Sequence, residues 1–224
     1  MPTLVGSSVV VLGASGGLGS PIARLAADRG AKLTLVGRDA DRLAALGVPG
    51  TVVTADLRLP EASASVMQAA VDAHGGIDVV VNATGVVAFG AVDELDVDTL
   101  EELFLTNTFL PVFVAKAALP HLSEGSMLVN ISGVIAEQNL PGMAAYGASK
   151  AALKSFSEGF AREARRKKVK VLDARPGHTE TGLATRAIAG TAPAFPAGLD
   201  PLHVATVIVD AIEADARDLP SSAF

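Results

Sequence analysis

A chain of 224 residues, half of them apolar and 19% charged, can fill one sizeable core and leaves little material for a second. It has no cysteine, so disulfides and thiolate metal sites are excluded, and its four histidines (His74, His121, His178 and His203) show no ligand spacing, so no metal is expected. A formal charge of −6 gives no broad attraction to nucleic acid. No apolar run approaches the roughly 18 residues of a membrane span or has the leader of an export signal, so a soluble cytoplasmic protein is expected, with neither nucleic acid nor membrane as partner.

Short apolar runs alternate with helical patterns along the chain. Val9–Leu12, Lys32–Val36, Thr51–Thr54, Ile77–Val81, Met127–Ile131 and Val169–Ala174 read as strands. The first helix carries Ile22, Leu25 and Ala26 on one face and stops at Gly30; Asp39 caps the second, which runs through Leu43 and Leu46. Further helices are predicted over about 61–74, 98–119, 144–168 and 201–215. Strands alternating with helices imply right-handed crossovers and a parallel, doubly wound α/β sheet. With no linker or repeat, residues 1–224 read as one domain, with a substrate loop at about 182–200 whose Ala, Pro and Gly content suggests a flexible lid. The basic run Arg165, Arg166, Lys167, Lys168 and Lys170 falls at a helix end, where cations complement the dipole; a polyanion site is the alternative reading.

The first strand leads into Gly13-Ala14-Ser15-Gly16-Gly17-Leu18-Gly19 and then an amphipathic helix. A dinucleotide pyrophosphate needs backbone N–H groups at a helix N-terminus with no Cβ in the way, and this turn supplies both. Any sharp strand-to-helix bend favours glycine, so the strand–turn–helix context carries the inference. Gly37 stands where an NAD site usually has a ribose-binding carboxylate, and Arg38 follows with a guanidinium suited to a 2′-phosphate. NADP(H) is therefore favoured over NAD(H); the alternative is a solvated Arg38 beside a capping Asp39.

The single tyrosine, Tyr146, precedes Lys150 by four residues, so phenol and ammonium share a helix face. A cation ~4 Å from the phenol would favour its ionised form by roughly 4 kcal/mol at an effective dielectric of about 20. That corresponds to ~3 pKa units before desolvation is counted, enough to bring the phenol towards working pH. Such a pair elsewhere is usually a surface contact; here it accompanies a nucleotide turn.

Taken together, the glycine turn, Asn82-Ala83-Thr84-Gly85, Asn107, Tyr146/Lys150 and Pro176-Gly177 resemble the short-chain dehydrogenase/reductase family over nearly the whole chain and in matching order. The resemblance implies a single Rossmann-type domain that moves a hydride between nicotinamide and a ketone, aldehyde or secondary alcohol. It implies that Tyr146 exchanges the proton, that Lys150 holds the ribose and lowers the phenol pKa, and that Asn107 sustains a water chain to Lys150. Gly13, Ser15, Gly16, Gly17, Leu18 and Gly19 would cradle the pyrophosphate. Asp56 and Leu57 would meet the adenine. Asn82, with Ala83 and Gly85, would brace the central strand beside the cofactor. Pro176, Gly177, Thr179 and Thr181 would hold the nicotinamide carboxamide. A homodimer through the predicted helices at 98–119 and 144–168 follows as well. Independently, Pro111 lacks the N–H that would bond the Asn107 carbonyl in a helix, leaving that oxygen open to water; a simple proline kink is the alternative.

One position departs from the family pattern. Counting thirteen residues back from Tyr146 reaches Gly133 where the family has a substrate-polarising Ser, with Ser132 beside it. A one-residue shift on a strand reverses the side chain, so Ser132 can substitute only if the strand ends or bulges there. Another donor could serve, or the protein could bind NADP with little or no catalysis, as a sensor or partner subunit. A methyltransferase on a similar fold would leave Tyr146 and Lys150 without a role. Leu183, Ala184, Ile188 and Phe195 are candidates to cover the nicotinamide.

Overall fold

The computed structural model describes residues 3–224. Six strands form one all-parallel sheet: β1 (Ser8–Leu12), β2 (Lys32–Gly37), β3 (Thr51–Thr54), β4 (Ile77–Asn82), β5 (Leu122–Ile131) and β6 (Lys170–Ala174), in the order β3-β2-β1-β4-β5-β6. The order reverses between β1 and β4, so this is a Rossmann-type doubly wound sheet with its crevice above that switch point. Beyond β6, Leu219 makes an isolated parallel bridge with Ala174.

Among the described residues the seven α-helices are α1 (Gly19–Asp28), α2 (Ala40–Ala44), α3 (Pro60–His74), α4 (Val97–Phe104), α5 (Leu110–Ala118), α6 (Ala144–Ala164) and α7 (Pro201–Glu213). Successive residues of each central strand serve opposite layers, as the pleat requires. Val9 and Val11 pack with Ile22 of α1 and Ile208 of α7, whereas Val10 and Leu12 pack with Met67 of α3, Val114 of α5 and Phe160 of α6. A third cluster, Val87, Phe89, Ile135 and Met143, lies against Tyr146, Leu183 and Phe195.

Two departures from the predicted elements have local causes. The helix expected over 98–119 is interrupted by a π-turn at Leu105–Phe109, where the Leu110 N–H reaches back to the Leu105 carbonyl. Pro111 cannot donate to Asn107, and the wider turn absorbs that missing bond. Three of the five residues in the basic run engage the fold's own groups: Lys168 pairs with Glu124, Lys170 with Asp215, and Lys167 Nζ donates to the Leu119 carbonyl, while Arg165 and Arg166 are exposed at the helix end. That is the solvated helix-end reading. Among the described residues, no helix is long and apolar enough to cross a membrane.

Candidate active site

At the carboxyl end of β1, the N–H groups of Gly13 and Ala14 donate to the Val36 carbonyl at 2.9 and 3.0 Å, which starts the turn. Gly13 has φ +73°, a conformation that favours glycine. The turn then folds onto itself so closely that a Cβ on Gly19 would lie 2.1 Å from the Gly13 carbonyl oxygen. A Cβ on Gly17 would lie 2.4 Å from the Cβ of Thr181, so Thr181 closes directly over the turn. No side chain caps the start of α1 and no acidic residue occupies its first turn. A helix N-terminus left uncapped behind a Cβ-free cradle fits an anion such as a pyrophosphate.

Arg38 is exposed at the end of β2, while Asp39 caps α2 by accepting from the Arg42 N–H at 3.0 Å. Arg42, which sequence reasoning missed, reaches back from α2 and donates to the Ser15 carbonyl at 3.1 Å. Arg42 thus stands against the turn, and Arg38 is an exposed cation directly after Gly37. Asp56 sits in a charged cluster: its carboxylate is held by Arg58 at 2.6 Å, and Arg58 also bonds Glu102. Arg58 beside it keeps the Asp56 carboxyl below the usual range. Leu57 is buried at 4% exposure.

At the end of β4, Asn82 Oδ1 accepts from the Thr84 N–H and hydroxyl, so this side chain braces the segment leading to Gly85. A Cβ on Gly85 would come 3.3 Å from Lys150 Nζ and 3.4 Å from Asn107 Oδ1. Absence of a side chain there brings the loop against both groups. Asn107 clamps that loop from the π-turn: its Oδ1 accepts from the Val86 N–H and its Nδ2 donates to the Val86 carbonyl and to Ser149 Oγ.

Tyr146 and Lys150, one turn apart on α6, both border one cavity, together with Gly17, Leu18 and Gly177. Lys150 is 5% exposed and its ammonium donates to the Ile131 carbonyl at 2.9 Å. Burial pulls the Lys150 ammonium down to about 8, with the Asp173 carboxylate opposing that fall. The phenol does not behave as the spacing alone suggests. Burial pushes Tyr146 up to about 12, and no hydrogen bond joins it to Lys150. Desolvation of a phenolate outweighs a cation whose donor proton is directed to the main chain. The phenol thus carries its proton throughout the neutral range.

Ser132 borders the cavity, and the strand does distort there: the N–H groups of Ser132 and Gly133 both donate to the Ala174 carbonyl, and Gly133 has φ +86°. The Ser132 hydroxyl is nevertheless committed elsewhere, donating to Asp173 Oδ2 at 2.8 Å. Gly133 itself offers no side chain. Sequence reasoning passed over His178, a cavity-lining residue directly after Pro176-Gly177, because it looked only for metal-ligand spacing. Its ring stacks on Phe195 at 4.7 Å and stands 3.5 Å from Glu180.

The flanks of the loop read as a flexible lid are anchored. Ile188 N–H donates to the Val87 carbonyl and Phe89 N–H to the Ala189 carbonyl, and the far end pairs through Leu199 N–H to the His178 carbonyl. Gly190 lies so close to Phe89 that a Cβ would meet its carbonyl oxygen at 1.8 Å. Thr179, Thr181, Leu183, Ala184 and Phe195 face the cavity, whereas Ile188 is 39% exposed and lies outside its lining.

The family model for short chain dehydrogenases matches residues 7–191. An uncharacterized oxidoreductase of Methylorubrum extorquens is 34% identical over 200 residues, 85% of this chain and 81% of the relative. A hydroxynaphthalene reductase-like protein of Metarhizium anisopliae is 32% identical over 191 residues, 81% of this chain and 71% of the relative. Among solved structures, a short chain dehydrogenase from Burkholderia cenocepacia in complex with NADP superimposes with a TM-score of 0.85 at 26% identity, covering 99% of both chains. With the site at the carboxyl ends of a doubly wound sheet and a matching model over most of its length, the chain belongs to the short-chain dehydrogenase/reductase family and is an oxidoreductase.

Proposed function

We propose that this protein is an NADP(H)-dependent reductase of apolar, ring-bearing ketones or aldehydes, with Tyr146 as the proton donor. The supporting observation is that the phenol and the Lys150 ammonium open onto the same cavity as the uncapped glycine turn. The nicotinamide, when bound, supplies the hydride. Tyr146 gives its proton to the carbonyl oxygen as that oxygen gains charge, and Lys150 holds the ribose hydroxyls and offsets the charge left on the phenolate. Thr179 and Thr181 hold the carboxamide, and Asn107 fixes the Gly85 loop against Lys150 while its main-chain oxygen serves the water path. The apolar walls, Val87, Phe89, Ile135, Met143, Leu183 and Phe195, exclude water and suit a planar hydrophobic substrate. The name of the hydroxynaphthalene reductase-like relative agrees with that class. A panel of carbonyl compounds followed at the NADPH absorbance tests the reading.

For the cofactor preference, Arg38 and Arg42 beside the turn, with Gly37 in place of a carboxylate, provide cationic groups for a 2′-phosphate. Arg38→Ala is expected to raise KM for NADPH by about tenfold or more, the value of one charge-assisted contact, and to leave KM for NADH almost unchanged. Equal effects on both cofactors would remove Arg38 from the phosphate site. A second reading, an NADP-binding protein with little catalysis, is favoured by Gly133 and by the engaged Ser132 hydroxyl. Tight NADPH binding without turnover across the panel would select it.

We also infer a homodimer through the α4–α5 and α6 faces. Val97, Leu100 and Phe109 are 67%, 38% and 50% exposed there, an apolar stripe that a second copy would cover. Sedimentation equilibrium is expected to give twice the chain mass, and Phe109→Asp to shift the population towards monomer; a monomeric wild-type protein at micromolar concentration would contradict this.

A further inference from the structure

Beside Lys150 lies a carboxyl group to which the proposed chemistry gives no task. Asp173 of β6 pairs in register with Asn130 of β5 and is 6% exposed. Its Oδ2 accepts from Ser132 Oγ at 2.8 Å and from Arg175 Nη1 at 3.1 Å, while its Oδ1 is buried without a hydrogen-bond partner. A buried carboxylate with one bare oxygen is costly unless a cation compensates it through space. Arg175 compensates only partly, because the same guanidinium also bonds Glu137 and Asp218. Three carboxylates share one positive charge.

The cation that remains is Lys150. Its ammonium is fixed on the carbonyl of Ile131, and the next residue, Ser132, bonds Asp173, so the lysine and the carboxylate are tied to adjoining residues at the end of β5. Gly85 and Asn107 approach it from the β4 loop and the π-turn, Ile131 and Ser132 from β5, and the neutral Tyr146 phenol from its own helix. From β6 comes Asp173, the charged group that acts on it.

Burial pushes the Asp173 carboxyl up, and the Ser132 and Arg175 hydrogen bonds, with the charges of Arg175 and Lys150, oppose that rise. We propose that Asp173 is a positioning residue for Lys150: its carboxylate keeps the lysine ammonium charged in the cavity, and Ser132 and Arg175 orient that carboxylate and favour its ionised form. This gives the Ser132 hydroxyl a use other than contact with substrate. The idea rests on Lys150 acting as an ammonium in the reaction proposed above, but the charge relation can be measured without turnover. Burial already pulls Lys150 down to about 8. Loss of a neighbouring negative charge lowers it further, into the range where the amine is neutral at working pH.

The test is a titration of the Lys150 Nζ signal by nitrogen-15 NMR in cofactor-free protein, wild type against Asp173→Asn, with Lys150→Arg to assign the signal. Asp173→Asn is expected to move the Lys150 midpoint down by about one pH unit or more. If turnover is found, the basic limb of the kcat/KM profile should move down by the same amount. An unchanged midpoint overturns the proposal even if the variant is less active, because a merely structural role would lower activity without moving it. Absence of turnover leaves the NMR arm decisive, and so separates failure of this proposal from failure of the enzymatic reading. Should Asp173→Asn not fold, the wild-type protein still decides. The Asp173 carboxyl carbon and the Lys150 nitrogen must then show a shared acid-side titration step, and independent curves overturn the assignment.

Discussion

Replacing Tyr146 by Phe is expected to lower kcat for carbonyl reduction by about 10²–10⁴-fold, the usual contribution of a positioned general acid. The substitution keeps the ring that packs beside Ile135 and Met143 and removes only the oxygen, so fold and NADPH affinity should persist. The pH behaviour of the wild-type enzyme follows from the two groups. With the phenol pushed up to about 12 and the ammonium pulled down to about 8, both carry their protons at pH 7. Reduction of a carbonyl needs both protons, so kcat/KM, which reports the free enzyme, should be level on the acid side and fall as the pH rises through about 8. Oxidation of the alcohol, which needs the phenol deprotonated, should rise with pH. Steady-state kinetics in both directions, with NADPH binding followed by fluorescence, check the set; a Tyr146→Phe enzyme with near-normal kcat would place the proton donor elsewhere.

Gly19→Ala is expected to damage both stability and cofactor binding. The added methyl would stand 2.1 Å from the Gly13 carbonyl oxygen and 3.0 Å from Ala14 Cα, and neither is a flexible side-chain end that can swing away. The turn must open between β1 and α1, at a cost on the order of 1–3 kcal/mol, or a fall of several degrees in Tm for a chain of this size. Opening also displaces the N–H groups at the head of α1 from the pyrophosphate, so the Kd for NADPH should rise by about 10²-fold or more. Calorimetry of the free protein and of its NADPH complex separates the two effects. A Gly19→Ala protein that melts and binds like the wild type would show that the turn is looser than its geometry indicates.

The framework was legible because it depends on local pattern. Val9–Leu12 and Val79–Val81 are apolar on both faces, as buried parallel strands must be, and the helical segments begin close to their observed starts. Tyr146 and Lys150 meet one cavity because helical spacing alone aligns them. What escaped were relations set by neighbours distant in sequence. The Ser132 hydroxyl is directed by Asp173, 41 residues away, and the Arg58 beside Asp56 also answers Glu102, 44 residues away. The stretch 190–198 looked flexible from composition, yet Val87 and Phe89 provide main-chain partners just before it that no pattern within the loop announces. The phenol titration was misjudged for a related reason: spacing gives the distance to a cation but not the water removed around the ring.

The widened turn in the long helix also restricts how this protein can be re-engineered. Thr106, Asn107 and Thr108 are consecutive, yet all three are buried at 6%, 1% and 8% exposure, and Asn107 and Thr108 both bond to Ser149 of α6. Regular α-helix spreads three such neighbours over about 200° of arc, and the wider turn narrows that spread. Trimming one residue to regularise this segment, an ordinary move when raising thermal tolerance, would swing everything upstream by about 100°. A more regular helix would then be gained by disconnecting the amide that steadies the lysine's neighbourhood, so hardening and activity pull in opposite directions at this one turn.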